Sequence, residues 1–165
     1  MLPDELMGFP AAAALENWDP SVIVEGRFDH GELTLWIAPQ KIVEVCRFLK
    51  EQGRFTRLSG VTAVDWFPAD PQFEVVYHLH SLERNQRLRL KCRLEGNSAE
   101  IDSVTGVWRS ANWYEREVFD LFGVVFRQHP NLRRILLPEN WVGHPLRKDY
   151  PVHGYKYSYG EPGGG

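Results

Sequence analysis

The chain has 165 residues, enough for one domain with its own core and too few for two of ordinary size. Its 43% apolar and 25% charged residues exclude a disordered or coiled-coil chain, and no apolar run approaches the ~20 residues needed to cross a bilayer. Two cysteines exclude a disulfide scaffold and a four-thiolate metal site, and the net charge of −3 is unevenly placed.

Residues 1–83 hold 6 Lys and Arg against 13 Asp and Glu (net −7), whereas residues 84–165 hold 13 against 9 (net +4). The basic half is too rich in acids to point to nucleic acid, and an acidic partner surface accounts for it equally well. No basic segment followed by an apolar stretch opens the chain, so no secretory signal is expected. Six Trp, six Tyr and nine Phe are many for this length.

Residues 1–20 read as a loose leader ending at Asp19-Pro20. Residues 21–25 and 33–37 are β-type runs separated by the turn signal Asp29-His30-Gly31. Pro39 opens a helix in which Ile42, Val45, Cys46 and Leu49 recur at i, i+3, i+4 and i+7, with Gly53 placed to cap it. Cys46 then points into the core. Residues 58–67 read as a strand ending at Phe67-Pro68.

Two clear strands follow. Phe73, Val75, Tyr77 and Leu79 alternate with Glu74, Val76, His78 and His80; Leu88, Leu90, Cys92 and Leu94 alternate with Arg87, Arg89, Lys91 and Arg93. The short link between them predicts an antiparallel hairpin with one face under a helix and the other exposed.

A second helix is expected from a Ser103 cap, along the apolar stripe Val104, Val107, Trp108, Ala111, Tyr114, Val118, Leu121 and Phe122, to Gly123. Beyond residue 126, Pro130, Pro138, Pro145 and Pro151 recur with Gly143 and Gly154, which excludes a long helix or a central strand. This stretch still carries Trp141, Leu146, Tyr150 and Tyr155, so it should lie across its own domain or a partner, with the terminal glycines frayed. The order predicts an α+β fold: a small, mostly antiparallel sheet with two main helices, then an extended irregular C-terminal segment. The corresponding division is 1–126 for the α+β domain and 127–165 for a Pro/Gly-rich partner-binding tail.

Candidate chemistry is sparse. There is no phosphate-binding glycine loop, GxSxG elbow or HExxH. His78 and His80, at i and i+2, project the same way and suggest a metal pair if His129, His144 or His153 joined them; a solvated strand face is the plainer reading. The cationic row of residues 87–93 could track phosphates but has no aromatics between its charges, which favours a solvated or partner-facing strand. Arg109, Trp113, Arg116 and Asp120, at i, i+4, i+7 and i+11, form a stripe beside the apolar one, with Arg116 and Asp120 spaced as an ion pair. Glu115 and Glu117 diverge by about 200° on a helix and cannot face each other as a catalytic dyad.

Two motifs resemble a known family. Glu115-Arg116-Glu117-x-x-Asp120-Leu121-Phe122, followed after six residues by His129-x-x-x-Arg133-x-Ile135-Leu136, is similar to the signature of the thirty-kilodalton subunit family of NADH–quinone oxidoreductase, respiratory complex I. Gly143-His144-Pro145-Leu146-Arg147-Lys148-Asp149-Tyr150-Pro151 resembles that family's second hallmark. The resemblance implies a non-redox structural subunit of the hydrophilic arm of complex I, on the cytoplasmic side of the bacterial membrane without spanning it. It implies packing against the large quinone-site subunit, with FMN and iron–sulfur clusters confined to partner subunits. Two cysteines agree, being too few for a four-cysteine cluster. On this resemblance Arg116, Glu117, Asp120, Arg133 and Arg134 hold the second helix and the following loop in shape, and residues 143–151 form a strap with Trp141 and Tyr150 as anchors. An equivalent subunit of a membrane-bound hydrogenase or another quinone- or ferredoxin-linked dehydrogenase remains open. So, more remotely, does a metal-dependent enzyme using His78 and His80.

Overall fold

A computed structural model describes residues 2–95 and 99–151. The fold is α+β, and its centre is a five-stranded sheet in the order β1 (Ile23–Asp29), β2 (Glu32–Ile37), β5 (Gln86–Leu94), β4 (Phe73–Ser81), β3 (Arg57–Asp65). The β1–β2, β4–β5 and β3–β4 pairs are antiparallel, but β2 and β5 run parallel. A parallel pair requires a long crossover, which α2 (Ile42–Glu51), β3 and β4 supply here. At the β1–β2 hairpin, His30 and Gly31 both take positive φ, the conformation a two-residue turn demands.

The helix α2 forms as its periodicity predicts: Ile42, Val45, Cys46 and Leu49 are all fully buried. They share a core with Leu35 and Ile37 of β2, Val75, Tyr77 and Leu79 of β4, and Leu88, Leu90 and Cys92 of β5. Its end differs in detail from the expectation. The left-handed residue is Arg54, and Gly53 is required for a different reason: a Cβ there would stand 2.7 Å from the Leu49 carbonyl.

The first twenty residues are not a loose leader. Residues 4–8 form a 3₁₀ turn and α1 (Pro10–Trp18) follows, with Leu2, Leu6, Ala12 and Leu15 buried in the main core. Pro10 at the first helical position is the local signal for it.

The second predicted helix starts seven residues later than its apolar stripe suggests. It is α3 (Ala111–Phe122), and residues 103–110 form turns with Val104, Val107 and Trp108 buried beneath them. Ser103 is no cap; its hydroxyl meets Thr105 and Glu115. The indole of Trp108 donates to the Phe55 carbonyl and the Ser110 hydroxyl to the Leu58 carbonyl, which ties the entry of α3 to the start of β3. Gly123, at φ 79°, ends the helix as expected. Two short strands that no sequence pattern announces, β6 (Glu100–Asp102) and β7 (Val125–Arg127), pair in parallel beside it.

Candidate functional site

The signature residues gather where α3 meets the irregular segment 128–151. Asp120, on the last turn of α3, is fully buried, and its carboxylate holds that segment by its backbone. One oxygen accepts the N–H groups of Ile135 (3.0 Å), Leu136 (2.8 Å) and Leu137 (3.0 Å), while the other accepts Arg134 Nη1 at 2.7 Å. Arg134 also donates to the carbonyls of Asp120 and Gly143. Burial alone would push the Asp120 carboxyl up, but the three backbone donors and the guanidinium outweigh it and hold it below the usual carboxylate range.

The expected Arg116–Asp120 ion pair does not form. Asp120 takes its cation from fourteen residues downstream, and Arg116 donates to the carbonyls of Arg133 (3.2 Å) and Arg134 (3.4 Å). Both side chains nonetheless serve one purpose, because each grips the loop at 133–137 from the same side of α3.

His144 closes the clamp. Its Nδ1 lies 2.9 Å from the Asp120 carbonyl and therefore carries the proton. Its ring lies so close to Gly123 that a Cβ there would be 2.7 Å away, and the Phe119 ring tilts against it at 5.9 Å. Leu146 N–H then reaches the Leu121 carbonyl. His129 fixes the start of the segment: Asn131 N–H donates to its Nδ1, so its Nε2 donates to the Asn112 carbonyl at 3.1 Å. Burial, and Arg116 to a smaller extent, lower its pKa against that bond.

A second carboxylate does the same work at the sheet edge. Buried Asp65, the last residue of β3, accepts the N–H of Phe67 and the amide of Gln72, and its other oxygen accepts Lys148 N–H at 2.8 Å. Arg147 forms a fork to Asp149 (2.9 Å twice) with its guanidinium 5.0 Å from the Phe73 ring centre. Trp141 and Tyr150 are half-buried, Lys148 and Asp149 exposed.

The remaining signature residues lie elsewhere. Trp113 is 54% exposed, and its indole donates to Glu117. Arg109 is exposed before the helix, and Arg133 reaches Asn131 and the exposed Glu139. Glu115 points the opposite way, fully buried, accepting the Ser103 hydroxyl and Val104 N–H at 2.7 Å each. Burial pushes its carboxyl up to about 7, more than these two bonds offset. Glu115 and Glu117 do not face each other, as their spacing required. His153, Gly154, Tyr155 and the terminal glycines lie outside the described residues.

The sheet's outer face corrects one expectation and leaves another without support. The cationic row does have an aromatic partner, contributed by the neighbouring strand: Trp36 lies 5.1 Å from the Arg93 guanidinium and 5.2 Å from the Lys91 ammonium. Its indole donates to buried Glu74, which also pairs with Lys91 and Arg93. His78 and His80 face Arg89 and Arg87 across the ladder, and no three His, Cys, Asp or Glu side chains converge into a metal site among the described residues.

Residues 35–156 match the family described as respiratory-chain NADH dehydrogenase, 30 Kd subunit. The chain belongs to this family. It is 48% identical over 134 residues to the corresponding NADH-quinone oxidoreductase subunit of Geotalea uraniireducens, covering 81% of this chain and 82% of that one. It is 51% identical over 133 residues to the same subunit of Geobacter sulfurreducens, covering 80% and 82%. Among solved structures it resembles the trypsin-resistant fragment (1–134) of Nqo5, with a TM-score of 0.65 and 29% identity over 73% of this chain and 98% of that one. It also resembles a chain of the membrane-bound sulfane sulfur reductase, an archaeal respiratory membrane complex, with a TM-score of 0.75 and 28% identity over 88% and 86%. No described helix is long and apolar enough to cross a membrane.

Proposed function

We propose that the chain is a non-redox structural subunit of the hydrophilic arm of an NADH–quinone oxidoreductase, packed against the quinone-site subunit on the cytoplasmic side of the membrane. The observation that carries this reading is where the signature side chains point. Asp120, Arg116, Arg134 and His144 are consumed in shaping the chain's own loop rather than arranged around a cavity. The loop so held turns Leu136 (56% exposed) and Leu146 (52%) outward, the apolar surface a partner would cover.

The chain itself then moves no electron and catalyses no reaction alone. FMN and iron–sulfur clusters reside in partner chains. Both cysteines lie on the core side of the fold, and burial pushes the Cys46 and Cys92 thiols far up, so neither supplies the thiolate a cluster needs. Likeness to the archaeal sulfane sulfur reductase chain favours one second reading, the equivalent subunit of a related respiratory membrane complex.

One purification tests both. Leu136→Asp with Leu146→Asp, both exposed, should leave the chain folded and remove it from the assembled arm. Arg147→Ala with Tyr150→Ala should do likewise if residues 143–151 are the strap. Unchanged co-purification of the quinone-site subunit with both double variants sinks the proposed contact. Recovery of the wild-type chain with hydrogenase-type partners, and no NADH-oxidising flavoprotein, favours the second reading.

A further inference from the structure

The outer face of the sheet has two ends that treat their cations differently. At one end every charge is matched: Arg93 meets Glu25 at 2.9 Å and Glu74 at 3.6 Å, Lys91 meets Glu74 at 3.5 Å, and Arg89 meets Glu32. At the other end, Arg57 of β3, His80 of β4 and Arg87 of β5 stand in one row across three strands as direct register partners. Neither Arg57 nor Arg87 has a carboxylate partner among the described residues. Two guanidinium groups thus flank one imidazole across three strands.

The row borders an open groove of about 370 Å³, which His78, Ser59 and the Arg89–Glu32 ion pair also line. With strands about 4.8 Å apart, the backbones at positions 57 and 87 are about 10 Å apart. Carboxylates three residues apart on a segment in the extended polyproline II conformation, with three residues per turn at about 3.1 Å per residue, share one face and match that span.

We propose that this groove receives an acidic extended segment of another subunit, with one carboxylate on Arg57, one on Arg87 and His80 between them. Guanidinium forks suit carboxylates through paired, charge-assisted hydrogen bonds. Glu32 in the groove is taken by Arg89, so docking would neutralise the two guanidiniums, Arg57 and Arg87, that have no carboxylate partner among the described residues. The surface lies on the sheet, apart from the α3 clamp, and rests on family membership rather than on which neighbour covers that clamp.

Arg57→Lys and Arg87→Lys keep the charge while supplying amines. The assembled complex carrying either variant is treated with a zero-length carbodiimide, which joins an amine to a carboxylate in contact with it by an amide bond, releasing the activated carboxyl's leaving group. Mass spectrometry should find position 57 or 87 joined to Asp or Glu of another subunit. Absence of such links while native lysines of the same sample react overturns the proposal. So does a link only to this chain's own carboxylates. Arg57→Glu with Arg87→Glu should reduce the amount of this chain recovered in the complex by about tenfold at moderate salt without lowering the melting temperature of the free chain. Normal recovery overturns the idea. So does a phosphate-dependent rise in the free chain's melting temperature that Arg57→Ser with Arg87→Ser abolishes, if the inter-subunit links are missing.

Discussion

Two carboxylates on α3, five residues apart and both fully buried, behave in opposite ways. Glu115 faces the apolar side of the helix, receives two neutral donors, and has its carboxyl raised to about 7. Asp120 faces the C-terminal segment, receives three backbone donors and a guanidinium, and is held low. Burial is common to both; the donor set decides the sign. The same contrast separates the two regions that α3 joins. The sheet and α2 are held by apolar area, with Tyr77, Leu35, Leu90 and Ile42 excluded from water. Residues 128–151 bury few large apolar side chains and are held by polar clamps at Asp120 and Asp65.

Removing the Asp120 charge should break this division most. Asp120→Asn leaves Arg134, whose side chain is only 10% exposed, without its anion, and it turns an amide group toward backbone donors. Breaking such a buried pair costs about 3–5 kcal/mol. The loss should be local, because the sheet does not depend on the clamp. Hydrogen exchange at the Ile135, Leu136 and Leu137 amides should therefore accelerate by about a hundredfold or more, while amides of β4 and β5 keep their protection. Unchanged exchange at those three amides would show that something other than the carboxylate holds the loop. In the wild type, the depressed Asp120 pKa contributes stability above its ordinary value near 3.9, lost as pH falls through the folded value.

Leu90→Ala tests the other half. Leu90 is fully buried in the middle of β5, and its truncation should cost about 2–5 kcal/mol through lost transfer energy and a residual cavity. Here the urea midpoint of the whole domain should fall. The clamp amides should stay protected until global unfolding, so early release of residues 133–137 would erase the distinction between the two regions.

What is legible in the sequence follows the same divide. The helix α2 and the β4–β5 hairpin are regular, and burial on one face imposes a period that can be read directly. The start of the second helix is not legible, because Val104, Val107 and Trp108 keep helical spacing while sitting in turns; Glu115 fixes those turns by taking Val104 N–H, a bond no periodicity reveals. The first helix escapes because α1 is short and its alanines give little amphipathic contrast. At the site, the residues are legible as motifs but their partners are not. An i, i+4 spacing points to Arg116 for Asp120, yet a buried carboxylate surrounded by backbone donors is better completed by Arg134, which loop closure brings to it. Irregular segments have no repeat, so their contacts are written in three dimensions only.

Glu115 offers the smallest and most diagnostic effect. Its folded pKa of about 7 lies above the ordinary value near 4.3, so between these two the folded chain binds more protons than the unfolded one. Stability must then fall as pH rises across that window, the reverse of the acid loss attached to Asp120. Glu115→Gln keeps the shape, since the amide oxygen can accept Val104 N–H and the NH₂ can donate to the Ser103 oxygen while that hydroxyl turns to Thr105. Denaturant midpoints measured at pH 5 and pH 8 should show the wild type losing about 1–3 kcal/mol that the variant does not lose. Equal pH slopes in the two proteins would mean that Glu115 stays ionised at both pH values. The local donors, rather than burial, would then govern both carboxylates of the helix.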